Sequence, residues 1–287
     1  MSFGETVGLG AIAGFTIYLG LPMARVRWAG DRVRVGLAMF SVGILAFIFM
    51  DVGKHAEAIL ETALNHFKAH TAGFDHVLAM FALLALGFTV GTAGISAVER
   101  RLRSRRTAPA PLAGGEAAAV LAPEQVARAQ EGAEDARRRA LQTGMVIATA
   151  IGLHNFAEGL AIGVSAKAGA IALATVLIIG FGLHNATEGF GIVGPLGGAR
   201  PSWGWLGVAG LVAGGPTFLG TLVGYQVDSQ PLELLFYGLA AGAVLYVIGE
   251  IWTGMRRYGY HTLGLYMIAA GFLVGVATDL VVSYGGG

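Results

Sequence analysis

The chain of 287 residues is 55% hydrophobic and only 13% charged, with a mean hydropathy of +0.66. This composition favours a membrane protein over a water-soluble globular domain. The chain has no cysteine, which excludes thiolate metal sites, iron–sulfur clusters and disulfides. Any transition metal bound by this protein must therefore use nitrogen and oxygen ligands. The net charge of +1 gives no reason to expect a nucleic-acid partner.

Long apolar runs occur eight times along the chain. A lipid core about 30 Å thick needs about 20 apolar residues in a helix. Runs of suitable length lie at 4–22, 33–53, 76–98, 143–164, 170–194, 203–226, 231–253 and 260–283. They lack the strict alternation of a transmembrane barrel, so they predict helices. The predicted fold is an all-α integral membrane protein with eight transmembrane helices, surrounded by the lipid bilayer and packed closely through its 46 glycines.

The basic residues set the predicted orientation. Sixteen of the nineteen lysines and arginines fall in alternate connections between the spans, and only Lys54, Lys68 and Lys167 fall on the opposite side. Because cytoplasmic loops carry the excess of positive charge, both termini are predicted to lie outside the cytoplasm. The expected location is the plasma (inner) membrane, with multiple passes.

The chain divides into three parts by composition. Spans one to three occupy residues 1–98, and spans four to eight occupy 143–287. Residues 99–142 combine arginines with an Ala/Pro/Gly-rich middle, which predicts a mobile cytoplasmic loop containing a short helix from Pro123 to Arg139. The two hydrophobic parts together are expected to form a single membrane domain.

An internal repeat carries the strongest functional signal. GLHNFAEGLAI begins at Gly152 and GLHNATEGFGI begins at Gly182, thirty residues later, and seven of the eleven positions are identical. In each copy His and Glu are four residues apart, so they share one helix face, while Asn lies about 100° around the helix. Because spans four and five are antiparallel, the two copies reach similar depths in the bilayer, where their side chains can converge.

Two explanations fit these buried polar groups. A charge near the bilayer centre costs at least about 2.5–3.5 kcal/mol, so two glutamates there need compensation. A divalent cation would supply it, and imidazole with carboxylate and amide oxygens suits zinc, iron(II), manganese or cobalt. Alternatively, each histidine hydrogen-bonds its own glutamate and merely seals a polar seam between the helices.

Other polar residues in the spans are candidates for a cation route. Glu250 lies near the cytoplasmic end of span seven and is either an exit ligand or an interfacial residue paired with arginine. Asp51 and His55 lie at the outer end of span two, and Asp279 lies in span eight. These three either line the pathway or belong to ordinary helix ends. Pro216, after two glycines in span six, predicts a kink or local opening.

With its paired His-Asn-x-x-Glu-Gly motifs, the chain resembles the ZIP family of metal-ion transporters, bacterial type, over essentially its whole length. The resemblance implies eight spans, outer termini and a metal site between spans four and five. The ligands that it implies are His154, Asn155, Glu158, His184, Asn185 and Glu188, with Glu250 at a matching acidic position of span seven. Many members carry proline where this chain has Ala157 and Thr187, so straighter helices are expected at the motifs.

The resemblance implies transport of a divalent cation into the cytoplasm, with Zn²⁺ or another of Fe²⁺, Mn²⁺, Co²⁺ and Cd²⁺ as substrate. The protein is then not an enzyme. An intramembrane metal-dependent hydrolase is the first alternative, although no His-Glu-x-x-His motif occurs. A proton-conducting or purely structural bundle is the second. Whether two copies form a homodimer stays open.

Overall fold

The computed structural model describes residues 2–26, 30–103, 123–167, 171–196, 199–226, 229–256 and 258–284. Every regular element in these ranges is helical. The helices are α1 (Phe3–Phe15), α2 (Asp31–Lys68), α3 (Phe74–Thr89), α4 (Ile95–Arg103), α5 (Pro123–Lys167), α6 (Ile171–Val193), α7 (Trp203–Gln226), α8 (Gln230–Arg256) and α9 (His261–Tyr284). Short 3₁₀ segments prolong α1 to Arg25 and follow α6, and a π-helical turn at Val90–Gly94 joins α3 to α4.

Seven stretches of the described chain are long and apolar enough to cross a membrane. They are Phe3–Arg25, Asp31–Lys68, Phe74–Ala97, Gln130–Val164, Trp203–Gln226, Gln230–Arg256 and His261–Val281. Each contains one of the predicted spans or most of it. The remaining predicted span, 170–194, coincides with the 23-residue helix α6, and its passage through the membrane stays a prediction.

Burial separates central helices from peripheral ones. The most apolar windows of α2 and α5 are each 67% buried inside the protein, whereas those of α3 and α9 are only 17% buried. α3 packs on α8 and α9 packs on α2, while α6 contacts α1, α2 and α5. The polar motifs on α5 and α6 therefore lie inside the bundle, and α3 and α9 turn most of their apolar surface outward.

Two helices extend beyond the bounds that the sequence predicts for their spans. α2 continues fifteen residues past the predicted end of its span, to Lys68, because this extension keeps an apolar stripe. Ala56 and Ala63 are buried there against Met80 of α3 and Leu234 of α8. The polar connection expected after span two is therefore mostly helix.

The second such helix is α5, which begins within the predicted cytoplasmic loop. The predicted short helix from Pro123 is not separate, because α5 runs from Pro123 to Lys167 without interruption. Ala140 and Leu141, at the point where the loop was expected to end, pack against the main core and carry the helix across. The middle of the predicted loop, 104–122, lies outside the described residues.

The helix α7 is unbroken at Pro216, so the predicted local opening is absent from this described helix. Proline removes the hydrogen bond that the carbonyl of Val212 would otherwise accept within the helix. Gly152 of α5 packs at this point, against the Val212 carbonyl oxygen and the Pro216 ring. Close packing by the neighbouring helix thus accompanies the lost hydrogen bond.

Glycines allow pairs of helices to approach backbone to backbone. A side chain at Gly159 of α5 would overlap the carbonyl oxygen of Thr217 in α7, and one at Gly220 of α7 would overlap that of Phe156 in α5. The same reciprocal arrangement joins α3 to α8, at Gly87, Gly91, Gly238 and Gly242. The sequence-based expectation of close helix packing is therefore correct, since small residues permit such contact.

We expect Gly220→Ala to lower the stability of the folded bundle. The added methyl group meets the Phe156 carbonyl, and overpacking of this kind costs about 1–3 kcal/mol. Gly207→Ala is the matched control on the same helix, because the space around its Cβ position is open. Alanine there should stabilise the helix by about 0.5–1 kcal/mol. Thermal unfolding midpoints in detergent test both variants, and equal midpoints would contradict this account of the α5–α7 contact.

Candidate functional site

The two repeat motifs lie on neighbouring helices, the first on α5 and the second on α6. Their described polar side chains are almost entirely removed from the surface. The exposed fractions are 1% for His154, 0% for Asn155, 5% for Glu158, 0% for Asn185 and 0% for Glu188. His184 belongs to α6, and its side chain lies outside the described part of the structure. Two carboxylates and an imidazole are thus buried in a mostly apolar bundle.

His154 and Glu158 contact each other within the first motif. The Nε2 atom of His154 lies 2.9 Å from the Oε1 atom of Glu158, as the spacing of four residues on one helix face predicts. The contact brings together the His–Glu pair on which both interpretations of the motif depend. It places a nitrogen atom and an oxygen atom side by side on α5.

The asparagines of both motifs make equivalent hydrogen bonds. Asn155 Nδ2 donates to the carbonyl oxygen of Ala213 in α7 at 3.0 Å, and Asn185 Nδ2 donates to that of Ala13 in α1 at 3.2 Å. With the nitrogens held in this way, each side-chain oxygen points elsewhere. Neither Oδ1 atom has a hydrogen-bond partner within the described residues, although both are buried. Two amide oxygens are therefore available to a cation at matched positions.

The acceptors of these two bonds meet where α1 crosses α7. A side chain at Gly14, next to Ala13, would overlap the carbonyl oxygen of Gly214, and one at Gly214, next to Ala213, would overlap that of Gly14. One helix crossing therefore supplies the carbonyl anchors for both motifs. The repeat in the sequence corresponds to a repeat in the tertiary contacts.

The described side chains do not form a complete metal-binding group. No set of three His, Asp or Glu residues among them is close enough to hold an ion. The predicted convergence of His154 and Glu158 with His184 and Glu188 stays untested, because the side chain of His184 is not described. What the structure does bring together is one His–Glu pair and the two asparagine anchors.

Asp51 and His55, which the sequence offered as pathway residues, lie away from the two motifs. Ser41 of α2 packs beside α6. Asp51 is ten residues further along α2 and His55 is fourteen, which corresponds to about 15 Å and about 21 Å along the helix axis. His55 Nδ1 is 2.9 Å from the Asp51 carbonyl oxygen, and its ring lies 5.8 Å from that of Tyr237 in α8. This cluster lies in the second half of α2.

Glu250 and Asp279 are each partly buried near the end of their helix. Glu250 lies six residues before the end of α8, and Asp279 lies five residues before the end of α9. Ile251, which follows Glu250, packs near Gly191 of α6, three residues after Glu188. The end of α8 that carries Glu250 is therefore adjacent to the second motif.

Sequence reasoning missed two buried hydroxyl groups. Ser41 of α2 and Thr217 of α7 are 1% and 0% exposed, and neither hydroxyl oxygen has a hydrogen-bond partner within the described residues. Thr217 lies at the α1–α7 crossing, against Gly14. The available signal was the isolated hydroxyl in an apolar run, but only tertiary contacts separate such a residue from a lipid-facing one.

The fold and the buried motifs define the class of protein: a multi-pass helical membrane protein with histidine, asparagine and glutamate side chains buried inside the bundle. The chain matches the family described as ZIP Zinc transporter over residues 6–274, so it belongs to that family. It is also 36% identical over 151 residues to "Zinc transporter ZupT" of Clostridium perfringens (strain 13 / Type A). This match covers 50% of the chain and 53% of the relative, so the chain spans about half the length of that relative. The family is one of transporters.

We expect Asn155→Asp to destabilise the metal-free protein. A carboxylate cannot donate to the Ala213 carbonyl, and loss of a buried donor costs about 1–3 kcal/mol. Zinc should raise the unfolding midpoint of this variant more than that of the wild type, because a carboxylate binds a cation more strongly than an amide oxygen does. Asn65→Asp, on the exposed part of α2, is the control. An unchanged metal-free midpoint for Asn155→Asp would contradict the anchoring role.

Proposed function

We propose that this protein transports divalent transition-metal cations, zinc above all, across the membrane into the cytoplasm. The observation that carries the proposal is the burial of His154, Glu158 and Glu188 in adjacent helices of a chain that belongs to the ZIP family. Charged groups in the membrane interior require a compensating charge. A divalent cation supplies that charge, and the ligand set accepts zinc without sulfur. The similarity to the clostridial protein named as a zinc transporter supports the choice of zinc.

The proposed site combines the two motifs. Its ligands are His154, Asn155, Glu158, His184, Asn185 and Glu188. The cation exchanges its water molecules for imidazole nitrogens, carboxylate oxygens and the Oδ1 atoms of the asparagines. The Ala13 and Ala213 carbonyls hold those Oδ1 atoms in place by accepting hydrogen bonds from the Nδ2 atoms. Glu250 is the next acidic group on the cytoplasmic side.

In the proposed mechanism, zinc binding breaks the contact between His154 and Glu158. A neutral imidazole offers one lone pair, which can bind a metal only when no proton or donor occupies it. Arrival of the cation replaces the contact within the pair with bonds from both side chains to one ion. The buried carboxylate then gains a partner of opposite charge when the cation is bound.

The proposed topology has eight spans, with α6 as the fifth, and places both termini outside the cytoplasm of the plasma membrane. The length of α6, 23 residues, supports this role, since 20 residues in a helix span about 30 Å. Residues 1–98 and 143–287 then form one membrane domain, and 99–142 connect its parts on the cytoplasmic side. The distribution of arginine and lysine supports the orientation.

Zinc-65 uptake into proteoliposomes tests the function directly. We expect the wild type to transport zinc and the double variant His154→Ala/His184→Ala to fall to the level of protein-free liposomes, because both imidazole ligands are lost. His261→Ala, at the exposed start of α9, is the control and should retain uptake. Competition between zinc-65 and unlabelled iron, manganese, cobalt or cadmium ions gives the order of preference among the transported metals. Zinc binding without flux in the wild type would contradict the transport proposal, and metal-independent proton flux would favour the proton-conducting alternative.

Single-cysteine labelling tests the topology, because the chain has no cysteine of its own. We expect an impermeant maleimide to label Thr71→Cys and Lys167→Cys in intact cells. Ser202→Cys should react only after permeabilisation, since α6 lies between it and Lys167. All three positions are exposed. Labelling of Lys167→Cys and Ser202→Cys from the same side would show that α6 does not span the membrane.

A further inference from the structure

Ser41, like Thr217, differs from most of the described hydroxyl residues in these helices. It lies ten residues after the start of α2, is 1% exposed, and its Oγ atom has no hydrogen-bond partner within the described residues. Serine and threonine inside helices usually donate to a carbonyl one turn earlier. The threonines that do so here include Thr62, Thr92, Thr149 and Thr278. Burial of a hydroxyl without a partner is unfavourable, so Ser41 calls for another explanation.

Ser41 lies where three helices meet, and two of these helices carry the acidic residues Glu188 and Glu250. A Cβ atom at Gly191 of α6 would lie 2.9 Å from Ser41 Oγ and 3.1 Å from Ile251 Cδ1. Helices α2, α6 and α8 therefore meet at this glycine. Gly191 is three residues after Glu188, one turn further along the same side of α6, and Ile251 directly follows Glu250. The Ser41 hydroxyl therefore lies beside Gly191 of the second motif, where the end of α8 also packs.

We propose that Ser41 Oγ is an additional oxygen ligand for the divalent cation as it passes from Glu188 towards Glu250. This inference rests on the proposed transport function. A neutral hydroxyl binds a cation more weakly than a carboxylate, which suits a step that the ion must leave quickly. Gly191 contributes by placing no side chain over the hydroxyl. The passing cation supplies the partner that Ser41 lacks within the described protein.

A purely packing role for Ser41 makes a different prediction. Small residues are common at helix contacts, and alanine would serve there as well as serine. In that case Ser41→Ala would leave both stability and transport unchanged or improved. If the hydroxyl binds the cation, the same substitution preserves or raises the unfolding midpoint but lowers transport. Flux and stability then change independently.

The test compares variants of the full-length protein in zinc-loaded and zinc-free proteoliposomes. We expect Ser41→Ala to lower the maximal zinc flux about tenfold, as the loss of a contact to a charged group does, with no fall in the unfolding midpoint. Ser41→Cys should shift competition towards cadmium over manganese, because thiolate prefers softer ions. Its thiol should react with a small cationic thiosulfonate, and zinc should slow that reaction.

Met39→Cys is the matched control for the labelling. It lies on α2 at nearly the same depth, is also buried, and faces Gly264 of α9 instead of α6. Equal labelling rates for Met39→Cys and Ser41→Cys, or wild-type zinc flux in Ser41→Ala, would overturn the proposal for Ser41. Absence of zinc flux in the wild type would overturn the proposed transport function itself, so the two failures are distinguishable.

Discussion

The burial of two glutamates in a bundle surrounded by lipid is the constraint on which the structure depends. Burial removes the hydration of an ionised carboxylate, and contacts with apolar groups do not offset that free-energy cost. Glu158 and Glu188 therefore cannot face the lipid. They lie on α5 and α6, within the shell formed by the other helices. α3 and α9 carry the outward apolar surface. The arrangement of helices thus follows from where the charges must be.

Glycine makes this arrangement possible because it brings backbone carbonyls within reach of side chains on other helices. The α1–α7 crossing at Gly14 and Gly214 has no room for a Cβ atom on either helix. The adjacent carbonyls of Ala13 and Ala213 accept the two asparagine hydrogen bonds. A bulkier crossing would move those acceptors away from α5 and α6. Close packing and the orientation of the two asparagine side chains therefore depend on the same few small residues.

Hydropathy and the repeat predicted the helical fold, seven of the spans and the burial of the motif residues. They failed where tertiary packing decides the outcome. The helix α2 extends to Lys68 because Ala56 and Ala63 find a partner in Leu234, which is far away in the sequence. From the sequence, Asn155 and Asn185 were predicted only as ligands. Their hydrogen bonds to carbonyls on other helices could not be predicted, because the spacing of a motif carries no information about other helices. Ser41 escaped notice for the same reason.

The asparagine bonds connect the ligands to the helices that surround them. Any rearrangement that separates α6 from α1 must break the bond from Asn185 to Ala13, and one that separates α5 from α7 must break the bond from Asn155 to Ala213. Either movement releases an amide oxygen from its fixed orientation. In the proposed site, the affinity for the cation therefore differs between the two arrangements of the helices. A transporter needs such a difference in affinity between its states, because a ligand can shift an equilibrium only by its differential binding. Under the proposed function, the two asparagines connect cation binding to helix position.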